Sequence, residues 1–358
     1  MSVWDFADAL PTVEPSCRVT LGEGNTPLVR SRRIGPAVGA HQLYFKLESC
    51  NPTGSFKDRF AAVAVSSMLA AGKTRCIASS SGNSGAALAA YCAAAGLACE
   101  IALVETAPDG KLLQMAAYGA VLRRIRGFGI DPDITRAACA RLQDLGNASD
   151  AALQITAYRY SPTAMRGVET ISHELHEAAA QVGRQFAHVF APAGGGGLAL
   201  AIARRFDQLR AGSRGVGTPS INVVQPCGND TMATPLRLGH DRAREATCST
   251  AVTGLQVPAV LDGDEVIAAC RRVGGNGYVV SDEAIWAMQA RLASEEGVFC
   301  EPAAAASVCG AVDALARREI PPDAPIVCIV TGCGFKDLIS LERIARRRPC
   351  PTIELSSL

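Results

Sequence analysis

The chain has 358 residues, of which 48% are hydrophobic and 19% are charged, and its formal net charge is +1. This composition allows a sizeable core in one or two domains and argues against disorder. The small net charge argues against a nucleic-acid partner, which would need a concentrated basic surface, and no apolar run is long enough to cross a membrane.

Helix and strand patterns alternate along most of the chain, after an irregular arm with short elements at about residues 1–42. In the first half the predicted order is a strand at 44–48, a helix at 55–71, a strand at 75–79, a helix at 86–95, a strand at 99–104, a helix at 108–118, a strand at 121–125 and a helix at 132–145. In the second half it is a helix at 163–181, a strand at 187–191, a helix at 198–209, a strand at 221–225, a mostly irregular stretch at 226–262, a helix at 264–273, a strand at 278–280, helices at 282–296 and 302–317, a strand at 326–331 and a helix at 337–347. Such alternation predicts parallel sheets covered by helices, with a ligand at the carboxyl ends of the strands.

The cysteines indicate a reducing environment. There are fourteen, and no two have the C-x-x-C spacing of zinc ribbons and thioredoxin-like sites. Several, such as Cys92 and Cys328, lie among apolar neighbours, as small buried hydrophobic residues do. Because the N-terminal residues include acids and no cationic region, we expect a cytoplasmic protein without a membrane partner.

Residues 51–59 (NPTGSFKDR) place one lysine in a polar turn at the predicted start of a helix. Ser55 is the predicted N-cap of this helix, and Asp58 has the spacing of a capping box. Lys57 would then lie in the first turn, where the helix dipole disfavours its positive charge, and partial burial would act in the same direction. A neutral lysine amine can form a Schiff base. The alternative is a surface lysine on an ordinary capped helix.

Gly194, Gly195, Gly196 and Gly197 form a turn between a predicted strand and a predicted helix. Because these residues have no side chains, successive N–H groups can point at one anion, and the helix start adds its dipole. The pattern predicts a phosphate-binding turn. A dinucleotide-binding turn is the alternative, but it would need an acidic residue at the end of the next strand, where Gln225 stands.

Three stretches resemble the opening of the threonine synthase group: residues 21–28 (LGEGNTPL), 46–48 (KLE) and 51–59. That group belongs to the pyridoxal-phosphate enzymes of the tryptophan synthase β fold, which is also called fold type II. The resemblance extends from about Leu21 to about Leu338.

The resemblance implies an architecture for the whole chain. It implies two three-layer α/β domains with mostly parallel sheets, and pyridoxal 5′-phosphate in the cleft between them. The large domain would comprise residues 1–60 and 159–358, and the smaller domain residues 61–158. A homodimer is also implied by the resemblance.

The resemblance assigns roles around the cofactor. Lys57 would bind the cofactor covalently and, once the substrate displaces it, act as general base at the substrate α-carbon. The turn at 194–197 would hold the cofactor phosphate, Asn83 its phenolic oxygen and Thr331 its ring nitrogen.

Two further segments would lie near the substrate. The turn at 80–85 (SSGNSG) resembles the family's carboxylate-binding turn, in which Ser81, Asn83 and Ser84 would hold the substrate carboxylate. The alternative is an ordinary helix N-cap. Glu301 opens another helix, where it would either neighbour the cofactor ring or simply suit the dipole.

The candidates for binding a substrate phosphate match the family's sequence less closely than the cofactor residues do. Ser161 and Arg166 match a stretch that grips this phosphate in threonine synthases. Tyr160, Thr163 and Ala164 depart from it. Arg59 is a second candidate for bidentate anion binding. For each arginine the alternative is a structural ion pair.

The resemblance predicts a lyase that converts O-phospho-L-homoserine and water to L-threonine and phosphate by γ-elimination and β-addition. The alternative is a β-elimination or β-replacement enzyme, similar to serine and threonine dehydratases or to cysteine and cysteate synthases. The departures at 160 and 164 and the all-glycine turn favour that alternative. A non-catalytic binding protein is a third alternative, but it would have lost Lys57 or the carboxylate turn, and both are present.

Overall fold

The computed structural model describes residues 2–80, 82–107, 109–212, 217–257, 260–346 and 350–357. The strands are β1 (Leu28–Arg30), β2 (Leu43–Leu47), β3 (Arg75–Ser79), β4 (Ala98–Leu103), β5 (Val121–Arg124), β6 (Ala151–Gln154), β7 (His188–Pro192), β8 (Ser220–Pro226), β9 (Gly277–Val280) and β10 (Ile326–Val330). The α-helices are α1 (Ile34–Ala37), α2 (Lys57–Ala70), α3 (Asn83–Ala95), α4 (Asp109–Ala117), α5 (Pro132–Gly146), α6 (Pro162–Val182), α7 (Gly197–Gly212), α8 (Ala233–Arg237), α9 (Gly263–Arg272), α10 (Asp282–Arg291), α11 (Pro302–Ala316) and α12 (Leu338–Ala345).

The strands form two sheets. The larger sheet has the order β1-β2-β10-β7-β8-β9, and every neighbouring pair is parallel except β1 with β2. The smaller sheet has the order β5-β4-β3-β6 and is entirely parallel. Helices between successive strands pack on these sheets, which confirms the predicted class of two layered α/β units with mostly parallel strands.

The two sheets use different parts of the chain. The strands of the smaller sheet all lie between Arg75 and Gln154, and those of the larger sheet lie outside that segment. Helix α2 packs against both α3 and α6, and one continuous apolar core contains residues from both sheets. The domain boundaries at residues 60 and 158 stay a prediction.

Small residues allow the helices around this core to approach closely. In α6, a Cβ at Gly167 would lie only 2.0 Å from the carbonyl oxygen of Arg59 in α2. Helix α3 is rich in alanine and buries most of its length. Because its alanine side chains are small, it packs tightly between α2 and the smaller sheet.

The structure adds two strands that the sequence pattern did not predict, β1 and β6. β1 is a three-residue antiparallel edge strand with two exposed residues, and β6 is the tetrapeptide AALQ, which has weak strand propensity. Their extended conformation comes from pairing with β2 and β3 rather than from local sequence. The short elements predicted for the irregular arm include α1 and a 3₁₀ helix at Val3–Ala9.

Two predicted helices end differently in the structure. The helix predicted at 282–296 consists of α10 followed by a π-helical turn, Leu292–Glu296, which ends at a left-handed Gly297. The last predicted helix is α12, and its N-cap Asp337 accepts a hydrogen bond from the Ser340 N–H. Residue 347, the predicted end of that helix, lies outside the described residues.

None of the helices in the described ranges is long and apolar enough to span a membrane.

Candidate active site

A cavity of about 320 Å³ lies where the carboxyl ends of strands from both sheets face each other. Ser79 at the end of β3, Pro192 at the end of β7 and Thr331 just after β10 line it. Parallel-sheet topology predicts a ligand at this position. Of the predicted site residues, the cavity brings together Lys57, Asn83, Ser84, Gly194, Gly195, Gly196, Gly197 and Thr331.

The turn that carries Lys57 is fixed to the end of strand β10. The Phe56 N–H donates to the Thr331 carbonyl at 3.1 Å, and the Cys333 N–H donates to the Gly54 carbonyl at 2.8 Å. Lys57 is the first residue of α2, and its Nζ lies 4.6 Å from the centroid of the Phe56 ring. These contacts hold the amine over one wall of the cavity.

The capping box predicted for α2 does not form among the described residues. The N-cap is Phe56 rather than Ser55, and no side chain caps it. Asp58 instead accepts hydrogen bonds from the Thr53 N–H, at 2.6 Å, and from the Thr53 hydroxyl, so its carboxylate closes the preceding turn. Within the described part of the chain, the buried Ser55 Oγ has no hydrogen-bond partner.

The environment of Lys57 favours a neutral amine. Burial lowers the pKa of Lys57 to about 8, and the negative charge of Glu301 opposes this effect only in part. The sequence predicted this direction, but burial, rather than the helix dipole, is the main cause. A neutral lysine amine is both a nucleophile and a base, so this position suits covalent and acid–base chemistry.

Glu301 is a cavity residue whose importance the sequence left open. It is the N-cap of α11, it is buried, and its Oε1 accepts a hydrogen bond from Asn83 Nδ2 at 2.8 Å. Glu301 can adopt this position because residue 332 is glycine. A Cβ at residue 332 would lie only 2.2 Å from Glu301 Oε1. The carboxylate therefore lines the cavity instead of serving only the helix dipole.

The glycine turn forms another wall of the cavity. It connects β7 to α7, which begins at Gly197. Gly196 has a φ of +84°, which disfavours other residues, and a Cβ there would lie 2.6 Å from Val266 Cγ2. A Cβ at Gly194 would lie 2.9 Å from Val257 Cγ2. The turn is thus a wall free of side chains at a helix N-terminus, where N–H groups without intrahelical partners can bind an anion.

Arg59 does not line the cavity. Its side chain is fully buried and binds the carboxylates of Glu48 and Glu174, at nitrogen–oxygen distances of 2.7 and 2.5 Å. Lys46 also binds Glu174, at 2.5 Å. Arg59 therefore forms the structural ion pair that the sequence left open as its alternative, and its position does not support a role in substrate binding.

The remaining predicted substrate residues also lie elsewhere. Arg166 Nη2 donates to the Ala9 carbonyl at 2.6 Å, and its Nε lies 3.1 Å from a carboxylate oxygen of Glu169. Ser161 Oγ accepts a hydrogen bond from the Ile155 N–H at 3.2 Å and is buried below the cavity-lining loop. These positions do not support direct contact with substrate. Ser81 lies outside the described residues.

Comparison with known proteins shows the family to which this chain belongs. The sequence profile of the family described as "Pyridoxal-phosphate dependent enzyme" matches residues 19–332. The chain belongs to that family. Pyridoxal phosphate is therefore its cofactor, and the predictions of fold type, cofactor and enzyme class are confirmed.

Curated relatives and solved structures agree with this assignment. The enzyme is 32% identical over 360 residues to the threonine synthase of Halalkalibacterium halodurans, with 94% of this chain and 91% of the relative covered. It is 32% identical over 345 residues to that of Methanocaldococcus jannaschii, covering 94% and 81%. Among solved structures, threonine deaminase isoform 2 from Solanum lycopersicum matches with a TM-score of 0.75 at 21% identity, covering 97% and 94%. Maize serine racemase matches with a TM-score of 0.73 at 23% identity, covering 97% of each chain.

The residues around the cavity fit pyridoxal phosphate. The turn at 194–197 offers a cradle that a Cβ would fill, and its position at a helix start suits a phosphate. The Lys57 amine, with its lowered pKa, could bond covalently to the cofactor's carbonyl carbon. Asn83 and Thr331 line the same cavity with groups that can hydrogen-bond a polar ring.

Sequence reasoning missed several polar residues of the cavity. Thr106, Thr156 and Gln256 line it, and they come from loops whose sequences have no distinctive pattern. Gln256 lies in the stretch that was predicted to be mostly irregular. Among the described lining residues, Lys57 is the only basic side chain and Glu301 is the only acidic one. The substrate side chain therefore meets a largely uncharged, hydroxyl-rich and amide-rich surface.

Proposed function

We propose that this enzyme catalyses a threonine synthase-type reaction, in which O-phospho-L-homoserine and water give L-threonine and phosphate. The observation that carries the proposal is the similarity to threonine synthases over 94% of the chain at 32% identity. The cavity contributes a buried lysine amine, a carboxylate and a helix-start turn, which together suit an α-amino acid. An amino-acid substrate follows from this assignment.

In this proposal Lys57 and the glycine turn hold the cofactor. When bound, pyridoxal phosphate supplies an electron-withdrawing ring that stabilises negative charge at the substrate α-carbon. Lys57 removes the α-proton, because its burial keeps a substantial fraction of the amine neutral near pH 8. Glu301 holds Asn83 in place through their 2.8 Å hydrogen bond and so orients an amide at the cavity wall.

The N-terminus of α3 would bind the substrate carboxylate. Asn83 and Ser84 are the first two residues of this helix, so their backbone N–H groups have no intrahelical acceptor. Ser84 Oγ accepts a hydrogen bond from the Thr156 hydroxyl at 2.8 Å, which links this helix to the loop after β6. A carboxylate bound here would place the α-carbon over the cavity floor, toward the Lys57 amine.

One observation favours a second candidate. A substrate phosphate would be expected to meet more than one cation, yet among the described lining residues only Lys57 is basic. A substrate with an uncharged leaving group at the β-carbon would need no further cation. β-Elimination from serine or threonine, giving a keto acid and ammonia after hydrolysis, is therefore the second candidate.

A product assay separates the two reactions. We would incubate the purified enzyme with O-phospho-L-homoserine and, separately, with L-serine and L-threonine, and measure phosphate, threonine and keto acid. Phosphate and threonine formed in equal amounts would support the first proposal. Keto acid from serine or threonine, without phosphate release from O-phospho-L-homoserine, would replace it with the second. Lys57→Ala is the control that removes the proposed base.

We further propose that the enzyme is a homodimer that works in the cytoplasm. All fourteen cysteines lie in the described ranges and are free thiols, as is usual in reducing compartments.

Support for a dimer comes from the C-terminal apolar surface, defined here as Phe299, Phe335, Leu338 and Ile339. Phe335 and Ile339 are 73% and 72% exposed, and contiguous exposed apolar residues mark interfaces.

A further inference from the structure

Three cysteines from different elements meet beside the smaller sheet. Cys76 of β3, Cys92 of α3 and Cys99 of β4 place their Sγ atoms within 4.8 Å of one another. Cys76 and Cys99 are direct partners in the parallel pairing of β3 with β4, and Cys92 lies above them in the last turn of α3. The three sulfurs therefore form a compact triangle between one helix and two strands.

The triangle lies near the amino ends of β3 and β4, whereas the active-site cavity lies at their carboxyl ends. Cys76 and Cys99 are the second residues of their strands, whereas the cavity lies at the far ends of the strands. The cluster is buried but shallow. Cys76 and Cys92 are 0% exposed and Cys99 is 6% exposed, while Ala93 and Ala98, their neighbours in sequence, are exposed. A small ion could therefore enter after a local movement of the end of α3.

We propose that Cys76, Cys92 and Cys99 form a binding site for one monovalent copper ion. Thiolate sulfur is a soft ligand, and soft ligands select ions such as Cu(I). Three sulfurs at a metal–thiolate distance of about 2.3 Å in one plane would lie about 4 Å apart, a separation that the observed triangle accommodates. Each sulfur that binds releases its proton to solvent in exchange for the metal bond.

The number of ligands distinguishes copper from zinc. A structural zinc site has four protein ligands in a tetrahedron. In the described residues the cluster contains three metal-ligating side chains, and no histidine or carboxylate oxygen joins them. A trigonal all-sulfur site suits Cu(I), which does not require a fourth ligand.

The site would connect to the active site through α3. That helix carries Cys92 in its last turn and Asn83 and Ser84, which line the cavity, in its first turn. A bound ion would fasten the end of α3 to β3 and β4. The proposal does not depend on which substrate the enzyme uses.

The test measures copper binding to the holoenzyme after the four most exposed thiols have been removed. In a background variant the four exposed cysteines, Cys50, Cys139, Cys227 and Cys350, are replaced by serine. Cu(I) is added without oxygen in competition with a chromophoric Cu(I) chelator. We expect one tightly bound Cu(I) per chain, a shell of three sulfurs at about 2.3 Å by X-ray absorption, and a higher midpoint of thermal unfolding.

Matched variants locate the ion. Cys92→Ala in the background should lower Cu(I) affinity at least about tenfold, whereas Cys270→Ala, which removes a buried cysteine outside the cluster, should leave it unchanged. The visible absorption of the cofactor reports that each variant is folded. No tight Cu(I) in the background variant, a shell with fewer than three sulfurs, or equal loss in both variants would overturn the proposal.

Discussion

The Lys57 amine is controlled by two opposing effects. Burial lowers its pKa, and the carboxylate of Glu301 raises it by a smaller amount. Glu301 in turn accepts a hydrogen bond from Asn83, so the acid whose charge acts on Lys57 also contacts the turn proposed for the substrate carboxylate. The sequence indicated a less basic lysine from its place in a helix, but Glu301, the acid that opposes the effect of burial, lies more than two hundred residues away along the chain.

Replacing Glu301 by glutamine should lower the pKa of Lys57 further, because the opposing negative charge is lost. The neutral amine would then exist at lower pH. We would measure the rate of pyridoxal-phosphate rebinding to the apoenzyme as a function of pH, and expect its midpoint to move to lower pH. Glu295→Gln, which removes a partly exposed acid paired with Arg291, is the control. A midpoint that stays or rises would contradict this picture of the site.

Asp58 should make stability depend on pH. Its burial raises the pKa to about 7, against 3.8 for the unfolded chain. Between these values the folded state holds a proton that the unfolded state has lost, so the free energy of unfolding falls as pH rises from about 4 to about 7. The difference of about three in pKa corresponds to roughly 4 kcal/mol at most.

Asp58→Asn removes this titration while keeping an oxygen that can accept a hydrogen bond from Thr53. Denaturant unfolding at pH 5 and pH 8 should therefore show a smaller loss of stability in the variant than in the parent enzyme. An equal or larger loss would show that Asp58 is ionised in the folded state throughout this range.

At the scale of elements, α2 connects the lysine turn to both halves of the molecule. Its Arg59 binds Glu48 and Glu174 and so fastens α2 to the segment after β2 and to α6. Removing one member of such a buried group leaves an unpaired charge, which costs several kcal/mol. The burial of Arg59 explains why a basic residue two positions after the proposed cofactor lysine does not reach the substrate.

The close approach of α6 to α2 requires glycine at 167. A Cβ there would lie 2.0 Å from the Arg59 carbonyl oxygen, so Gly167→Ala must push the helices apart. We expect the free energy of unfolding to fall by about 1–3 kcal/mol or more. Gly212→Ala is the matched control, because no described residue lies within 4 Å of a Cβ at that helical position. Equal stability of the two variants would contradict tight helix packing at this point.

The alternation of elements could be predicted because it depends on local periodicity. The bounds of β3 agree with the prediction, and most helices differ by one to three residues at an end. β6 could not be predicted, because it is extended only through its pairing with β3. The capping of α2 could not be predicted either, because Asp58 contacts Thr53 instead of forming the capping box. Likewise, the positions of Arg59 and Glu301 depend on distant partners that no local pattern reveals.

For the whole molecule, the C-terminal apolar surface should form the dimer interface. Phe335 and Phe299 stack edge to face at 4.9 Å, so the surface is preformed, and Ile339 is 72% exposed. Ile339→Glu should convert the dimer to monomers, measured by size-exclusion chromatography with light scattering. Leu238→Glu changes an apolar residue of similar exposure, 64%, and should leave the dimer intact. A dimer that survives Ile339→Glu would place the interface elsewhere.

The Lys57 amine lines the cavity between the two sheets, and the proposed cofactor site depends on it more than on any other side chain. Borohydride reduction of the holoenzyme, followed by peptide mapping with mass spectrometry, fixes the cofactor to the lysine that holds it. We predict a single modified lysine, Lys57, and no modification in the Lys57→Ala variant. Modification of Lys336, the lysine that lies beside Gln114, or of any other lysine, would contradict the assignment of the active site.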